Sequence, residues 1–211
     1  MFVRSYMTSP VVTVKQDATL KQVLETLQEG RFAGMPVVDN DGHLVGMITV
    51  WDIHAAFADC VLGTRELTGD TKVSEVMSTN VTTILPEEII EEAAYLMEHK
   101  DIWMIPVVND LGQLVGIITE TDIHQVFVEM LGLHRPGTRI TVRVEEKPGQ
   151  LAEIVNLVLR HNVSIISVAA FQPEQDYRNI VIRIATHDAR SIVQELRQQG
   201  IRVLHVSQVW E

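Results

Sequence analysis

A threonine followed three residues later by an aspartate occurs twice in the chain, as Thr49 with Asp52 and as Thr119 with Asp122. Each pair stands where a predicted strand passes into a helix, so both side chains project from one turn. A carboxylate there can accept both hydrogen bonds of a ribose cis-diol, which are charge-assisted. The threonine hydroxyl and the first amides of the helix can face a phosphate. The same residue types are ordinary helix N-caps, so one copy alone would favour a purely structural role.

Both pairs belong to an internal repeat with a spacing of 70 residues. Residues 3–58 align with residues 73–128 without a gap, and 17 of the 56 pairs are identical. The identities concentrate in the second half of each copy, where Pro-Val-Val is followed by a glycine turn and then by Gly-x-x-Thr-x-x-Asp. Such a repeat predicts two copies of one supersecondary unit.

The hydrophobic pattern of each copy predicts the elements that position these residues. In the first copy, residues 11–14 form a β-branched run that is typical of a strand. Residues 17–29 have apolar side chains at the spacing of an amphipathic helix. Residues 36–38 and 44–49 predict the two strands of a hairpin around an Asn-Asp-Gly turn. A closing helix then begins near residue 52, with the threonine or the aspartate of the pair as its cap.

The formal charge and the hydrophobic pattern of the chain both change after residues 132–137, a segment that contains glycine and proline. Up to residue 138 the formal charge is −12, and from residue 139 onward it is +1. The pattern beyond the break predicts the order strand, helix, strand, strand, helix, strand, which is the ferredoxin-like arrangement. The strands are predicted at 140–144, 163–171, 180–185 and 201–206, and the helices at 151–159 and 189–199.

Composition and charge exclude several classes of protein. Hydrophobic residues make up 46% and charged residues 21% of the chain, which is typical of a globular protein with a core. The net charge of −11 and the lack of a basic cluster argue against nucleic acid as a partner. No run approaches the ~18 apolar residues of a membrane helix, and the first residues lack a signal sequence. Cys60 is the single cysteine and no histidines have zinc spacing, so we expect a cytoplasmic protein without a metal site.

The repeated segments at 46–52 and 116–122, each preceded by Pro-Val-Val and a glycine turn, resemble the two halves of a CBS-domain pair. Beyond the break, Lys-Pro-Gly-x-Leu and Asn-Val-Ser-Ile resemble the motifs of an ACT domain. The order and size are similar to acetoin-utilization proteins of the AcuB type. The resemblance implies an α+β fold: two CBS repeats, each a small sheet with helices, paired by pseudo-two-fold symmetry, and a C-terminal ferredoxin-like βαββαβ ACT domain. The implied limits are residues 1–60 and 73–133 for the CBS repeats, 61–72 for their connector, 134–138 for a linker and 139–211 for the ACT domain.

The resemblance also implies that the CBS pair binds an adenosine-containing small molecule. In the family, the motif positions contact ribose and phosphate, and apolar side chains hold the adenine. The histidines two residues past each aspartate would supply partial charge, although histidines on a helix are more often structural. The assigned residues are Thr49, Asp52, Thr119 and Asp122 for ribose and phosphate, Met47, Ile117, Phe32 and Ile102 for the base, and His54 and His124 beside them.

The chain differs from the family at the positions whose side chains bind phosphates. Members that bind phosphates tightly often carry Arg, Lys or His just before the Pro-Val-Val proline or before the motif aspartate. Here those positions hold Ala33, Gly34, Trp103, Met104, Trp51 and Thr121. Each phosphate beyond the first would meet an acidic surface without a cationic partner. We therefore expect AMP, adenosine or S-adenosylmethionine to be preferred to ATP.

The turn that leads into the first helix of the ACT-like segment is its candidate site. ACT domains that bind amino acids hold the ligand near this turn, usually across a subunit interface. The backbone amides of Gly149, Gln150 and Leu151, together with Asn162, would bind such a ligand. Because Glu-Lys-Pro-Gly is also an ordinary turn, an ACT domain that is structural or only dimerises is an equal alternative.

These observations favour a non-enzymatic regulatory sensor that uses no cofactor. The sequence contains no Gly-x-Ser-x-Gly, P-loop, GxGxxG or metal-binding cluster, which argues against catalysis. Apolar helix faces with Phe57, Phe127 and Met130, and the edges of a four-stranded sheet, predict a homodimer. The alternative is a ligand-free dimeric interaction scaffold that controls a partner enzyme, which the resemblance links to acetoin metabolism.

Overall fold

The computed structural model describes residues 1–64 and 66–209 of the chain. The fold divides into two compact units, Met1–Ile123 and His124–Glu211. None of the helices in the described ranges has the length and apolar character that are needed to cross a membrane.

The first unit contains the two sequence repeats, and each repeat has the same order of elements. A 3₁₀ turn comes first, followed by an extended segment, a helix, a hairpin and a closing helix. The first repeat consists of Val3–Ser5, β1 (Val14–Lys15), α1 (Leu20–Gly30), β2 (Gly34–Val38), β3 (Leu44–Thr49) and α2 (Val50–Val61). The second consists of Val73–Glu75, α3 (Ile90–Lys100), β4 (Met104–Val108), β5 (Leu114–Thr119) and α4 (Glu120–Met130), which continues past the limit of the unit.

Helix α1 shows why the amphipathic segment folds as the sequence predicts. The Thr19 hydroxyl accepts a hydrogen bond from the Gln22 amide, and the Gln22 side chain accepts one from the Thr19 amide. This capping box satisfies two amides that the helix itself leaves unpaired. Leu20, Val23 and Leu27 form the buried face of the helix.

The hairpins of the two repeats have the same register. β2 pairs antiparallel with β3, and β4 pairs antiparallel with β5, with an irregularity at the equivalent place in both. In the first repeat, β1 adds a parallel strand in which Val14 lies opposite Val37. In the second repeat the equivalent residues, Ile84 and Val107, form a single parallel bridge. The first unit therefore has the pseudo-two-fold symmetry that the repeat predicts.

The N-terminal segment of each repeat packs on the other repeat. The Val3 amide donates a hydrogen bond to the Glu88 carbonyl at 2.9 Å, and the Val73 amide donates one to the Ala18 carbonyl at 2.9 Å. The side chains of Val3 and Val73 are fully buried. Because the two segments are exchanged in this way, each repeat completes the core of its neighbour.

The glycine of each repeated motif permits this exchange. A Cβ on Gly46 would lie 2.8 Å from Sδ of Met77, and a Cβ on Gly116 would lie 2.4 Å from Sδ of Met7. The Cβ on Gly46 would also lie 3.0 Å from the carbonyl oxygen of Ser78. At Gly46 a side chain would press on the backbone of the exchanged segment, which favours glycine, whereas at Gly116 the nearest atoms all belong to the flexible side chain of Met7.

The second unit has the predicted order of strands and helices. The strands follow one another in the sheet as β7-β8-β6-β9, and every neighbouring pair is antiparallel. The helices bury Ile154, Leu157, Ile192 and Leu196 in one core with the strands. The elements are β6 (Gly137–Glu145), α5 (Gln150–Arg160), β7 (Ile165–Glu174), β8 (Tyr177–Ile184), α6 (Arg190–Gln198) and β9 (Arg202–Val209).

The α+β fold class is confirmed, and the differences from the prediction lie at the ends of elements. β1 begins at Val14 rather than at residue 11, because Val11 and Val12 line a cavity instead of pairing. β7 and β8 extend further toward each other than the hydrophobic pattern predicts, since polar residues can continue an exposed antiparallel ladder. The domain limits stay predictions.

We expect Val3→Ala and Val73→Ala each to lower the free energy of unfolding of the first unit by roughly 1.5–3 kcal/mol, since each removes two buried methyl groups and leaves a cavity. Urea denaturation followed by circular dichroism measures the change. Val61→Ala is the control, because the Val61 side chain is 71% exposed. Equal stability of all three variants would contradict the exchange of segments.

Candidate functional site

Two cavities in the first unit are related by the sequence repeat. Cavity 1 has a volume of about 480 Å³ and is lined by Thr119, whereas cavity 2 has a volume of about 560 Å³ and is lined by Thr49. Both volumes lie in the range of small-molecule sites. Ala33, Trp103 and Met104 line both cavities, so the two are neighbours.

The two threonine–aspartate pairs have nearly the same geometry. Oδ2 of Asp52 accepts hydrogen bonds from the amide and the hydroxyl of Thr49, at 2.8 and 2.5 Å. Oδ2 of Asp122 accepts the same two bonds from Thr119, at 2.8 and 2.6 Å. In return, each threonine Oγ1 accepts a bond from the aspartate amide, at 3.2 Å in the first pair and 3.4 Å in the second. Each pair is thus a reciprocal cap at the start of its helix, and Oδ2 is the oxygen that the cap uses.

The second carboxylate oxygen differs between the two pairs. Oδ1 of Asp52 accepts a hydrogen bond from Oγ of Ser78 at 2.8 Å, and both residues line cavity 2. The residue equivalent to Ser78 is Thr8, which lines cavity 1. Among the described residues, Thr8 makes no hydrogen bond to Asp122, and Asp122 is not part of the cavity 1 lining.

Each cavity takes its apolar wall from both repeats. Phe32 and Ile117 line cavity 1, and Met47 and Ile102 line cavity 2. Phe32 and Ile102 each follow the first helix of one repeat, while Ile117 and Met47 lie on the hairpin of the other. The structure therefore brings together the apolar residues that the sequence assigns to the base, with the motif threonine of one repeat in each cavity.

The two histidines of the prediction lie outside both cavities. His54 is exposed, and its ring stands edge-on to Trp51 with centroids 6.0 Å apart. His124 is exposed on α4. Two residues past the aspartate, a helix has turned by about 200°, which directs a side chain away from the capped end. This placement favours the structural role for both histidines.

The extended segments that precede the first helix of each repeat are functional candidates that sequence reasoning missed. Thr8 and Ser78 are bridged to the hairpin of the opposite repeat, so the residues after them reach the cavities. The signal for these residues was the repeat itself, since the lining positions are equivalent under the shift of 70. The segments contribute Thr8, Pro10, Val11 and Val12 to cavity 1, and Ser78, Asn80, Val81 and Thr82 to cavity 2.

The charged side chains that line the cavities differ. Arg31 and Glu120 line cavity 1, whereas Asp52 and Asp101 line cavity 2. Arg31 and Asp101 stand at equivalent positions of the two repeats. Each is the C-cap of the helix before it and has a left-handed backbone conformation, with φ of 53°. Within the described part of the chain, no lysine or arginine lines cavity 2.

A smaller cavity of about 260 Å³ lies at the predicted turn of the second unit. Gly149, Gln150 and Leu151 line it, and Gly149 caps α5 with a positive φ of 93°. Asn162 is not part of this lining, because it follows the opposite end of α5. The structure therefore brings together three of the four residues assigned to an ACT ligand.

One group of side chains in the described ranges could hold a metal ion, namely Asp39, Asp41 and His43 at the hairpin turn of the first repeat. The Asp39 carboxylate already accepts hydrogen bonds from the His43 and Asp41 amides, both at 2.9 Å. These bonds, that of His43 foremost, lower the pKa of Asp39. The carboxylate therefore fixes the turn, and the group lies outside both cavities.

The model of the CBS domain family matches residues 3–59 and 73–129, which together make up more than half of the chain. The chain belongs to the CBS-domain family. Residues 136–207 match the model of the TTHA0829-like ACT domain. This CBS-domain protein therefore has tandem CBS domains followed by an ACT domain, which confirms the recognition from the sequence.

Three solved CBS-domain structures are similar to this chain. The CBS domain pair of protein MJ0100, in complex with 5′-methylthioadenosine and S-adenosyl-L-methionine, is 30% identical, with a TM-score of 0.54 over 60% of this chain and 95% of that chain. CBSX2 in complex with AMP is 26% identical, with a TM-score of 0.55 over 60% and 96%. An acetoin utilization protein (AcuB) from Vibrio cholerae is 29% identical, with a TM-score of 0.55 over 64% and 95%.

Several curated relatives share only part of their length with this CBS-domain protein. Homoserine O-acetyltransferase from Methanohalobium evestigatum is 32% identical over 128 residues, which are 61% of this chain and 24% of that protein. The chain spans about a quarter of the length of such curated relatives. Their enzymatic names therefore describe proteins that are mostly unlike this chain.

We expect Thr49→Ala and Thr119→Ala each to destabilise the first unit by about 0.5–2 kcal/mol, because each removes a helix N-cap. Thermal unfolding in the absence of ligand measures the loss. Thr49→Ser and Thr119→Ser keep the hydroxyl and serve as matched controls with nearly unchanged stability. If the alanine and serine variants unfolded alike, the reciprocal cap would be wrong.

Proposed function

We propose that this CBS-domain protein is a non-enzymatic regulatory sensor whose CBS pair binds an adenosine-containing small molecule. The observation that carries the proposal is the pair of cavities, each of which combines a capped threonine of one repeat with an apolar wall from both. MJ0100 in complex with 5′-methylthioadenosine and S-adenosyl-L-methionine, and CBSX2 in complex with AMP, support it by similarity. The relatives that are named as enzymes share only the CBS part with this chain.

In the proposed complex, the motif aspartate binds the ribose and the apolar wall holds the adenine. Oδ2 of Asp52 and of Asp122 already accepts two hydrogen bonds in the cap, so the ribose hydroxyls are proposed to donate to Oδ1. Oδ1 of Asp52 also accepts a bond from Ser78, and Asp122 follows Thr121 of the cavity 1 lining rather than belonging to it. The first amides of α2 and α4, those of Val50 and Glu120, donate to backbone carbonyls. The next amides, those of Trp51 and Thr121, are proposed to face the first phosphate beside the threonine hydroxyls, where the helix dipole favours negative charge.

The lining charges support a ligand with no more than one phosphate. Glu120 lines cavity 1 beside Arg31, and cavity 2 is lined by Asp52 and Asp101. A second and third phosphate would meet these carboxylates without a further cation. AMP, adenosine and S-adenosylmethionine are therefore the favoured ligands over ATP.

For the ACT domain we propose a second small molecule, such as an amino acid, at the cavity beside Gly149. The positive φ of Gly149 turns the chain into α5 and leaves the amides of Gln150 and Leu151 at the start of the helix. Titration of the full chain with amino acids tests this role. If none binds, the dimerising ACT domain is the remaining role, and the protein acts on a partner enzyme without an ACT ligand.

We expect Asp52→Asn and Asp122→Asn each to weaken adenosine-ligand binding by about 1.5–3 kcal/mol, the value of a charge-assisted hydrogen bond. The amide keeps one carbonyl oxygen for the cap but loses the charge and the second acceptor. Isothermal titration with adenosine, which carries the ribose but no charge, measures the affinity.

Asp59→Asn is the matched control for these variants, because Asp59 is exposed on α2 and lines neither cavity. Unchanged affinity in both motif variants would leave the aspartates with their capping role alone. Absence of binding by the unmodified chain would favour the ligand-free scaffold that controls a partner enzyme, the role linked by resemblance to acetoin metabolism.

We also propose a homodimer. Phe57 and Phe127 are equivalent in the repeat and are 60% and 59% exposed, and Met130 is exposed on α4. Light scattering at micromolar concentration is expected to give twice the 23.7 kDa of one chain. Phe57→Ser with Phe127→Ser is expected to give the monomer mass, while Leu111→Ser, at an exposed turn, keeps the dimer. A monomeric unmodified chain would refute the proposal.

A further inference from the structure

The two cavities have opposite electrostatic character although they come from one duplicated sequence. At the equivalent positions that end α1 and α3, cavity 1 has the guanidinium of Arg31 and cavity 2 has the carboxylate of Asp101. Counting the formal charges of the lining, Arg31 and Glu120 cancel in cavity 1, whereas Asp52 and Asp101 leave cavity 2 with two negative charges. A ligand therefore meets a different field in each cavity.

Aromatic side chains line both cavities, so the charged residues carry the difference. Trp51 and Trp103 line cavity 2, with ring centroids 5.4 Å apart at an interplanar angle of 61°. Cavity 1 shares Trp103 and has Phe32 beside it. Both tryptophans are partly exposed, and their faces can attract a cation. Carboxylates beside aromatic faces are a combination that selects positive charge.

Arg31 gives cavity 1 the opposite preference. In the described part of the chain its guanidinium makes no ion pair, so it is available to a ligand anion. A guanidinium binds phosphate oxygens in a planar, bidentate manner, which a lone threonine hydroxyl cannot do. Glu120, which also lines cavity 1, opposes a more highly charged anion.

We infer that the two cavities divide their ligands by charge: cavity 1 takes an adenosine ligand with an anionic 5′ group such as a monophosphate, and cavity 2 takes one with a cationic 5′ group such as an ammonium or a sulfonium. This inference rests on the proposed adenosine site and adds which chemical class each cavity selects. The sensor then reads two ligands at adjacent sites, and the shared wall of Ala33, Trp103 and Met104 lies between them.

Three probes that differ only at the 5′ position test the inference: AMP, adenosine and 5′-amino-5′-deoxyadenosine, which are anionic, neutral and cationic. Isothermal titration of the full chain is expected to show that AMP and the amine each bind about tenfold more tightly than adenosine. Arg31→Gln is expected to abolish the preference for AMP and to keep that for the amine. Asp101→Asn is expected to do the reverse, and asparagine tolerates the left-handed conformation at this position.

Lys21→Gln and Asp59→Asn are matched controls, because they remove one charge of each sign from exposed positions outside both cavities. Equal affinities for all three probes, or equal changes in both cavity variants, would overturn the division by charge while leaving the adenosine site intact. Failure of all three probes to bind would instead overturn the proposed function itself. Raising the salt concentration is expected to reduce both preferences, since Arg31 and Asp101 are exposed.

Discussion

The exchange of N-terminal segments between the two repeats is the interaction on which the first unit depends. Val3 and Val73 are fully buried against the neighbouring repeat, and their amides bond to its backbone. The segments then continue into the cavities as Thr8 and Ser78. A cavity therefore exists only where both repeats are folded against each other. Any ligand that fills it stabilises the pairing of the repeats as well as the site.

In the proposed complex, the motif aspartate serves folding and ligand binding with different oxygens. Oδ2 is bound by the threonine amide and hydroxyl, and this cap holds the start of the helix with or without a ligand. Oδ1 of Asp52 is bound by Ser78, which belongs to the exchanged segment. A ribose hydroxyl that donates to this oxygen would share it with the Ser78 hydroxyl, because a carboxylate oxygen can accept two hydrogen bonds, as Oδ2 does here. Under the proposed function, a ligand in cavity 2 would add a hydrogen bond at a carboxylate that already joins the two repeats, which links binding to the pairing of the repeats.

The sequence predicted the parts of this molecule that follow from local pattern and from the repeat. The capped helix α1, the hairpin registers and the Thr49–Asp52 pair need only residues close in the chain, and the structure has them as expected. The cavity lining at Thr8 and Ser78 was missed because it depends on segments that cross between repeats. Sequence reasoning also assigned His54 and His124 to the ligand. Each follows its aspartate by two residues, a spacing at which the turn of the helix directs the side chain away from the capped end.

Positions that are identical between the two repeats and positions that differ are under different constraints. Gly46 lies against the backbone of one exchanged segment and Gly116 against the Met7 side chain of the other, and both copies have the same cap. Arg31 and Asp101 satisfy the same backbone conformation with opposite charges, so folding does not decide between them. What decides at such a position is the solvent or ligand that the side chain faces. A duplication that keeps its caps and glycines while changing its cavity charges therefore yields one fold with two cavities of different lining charge.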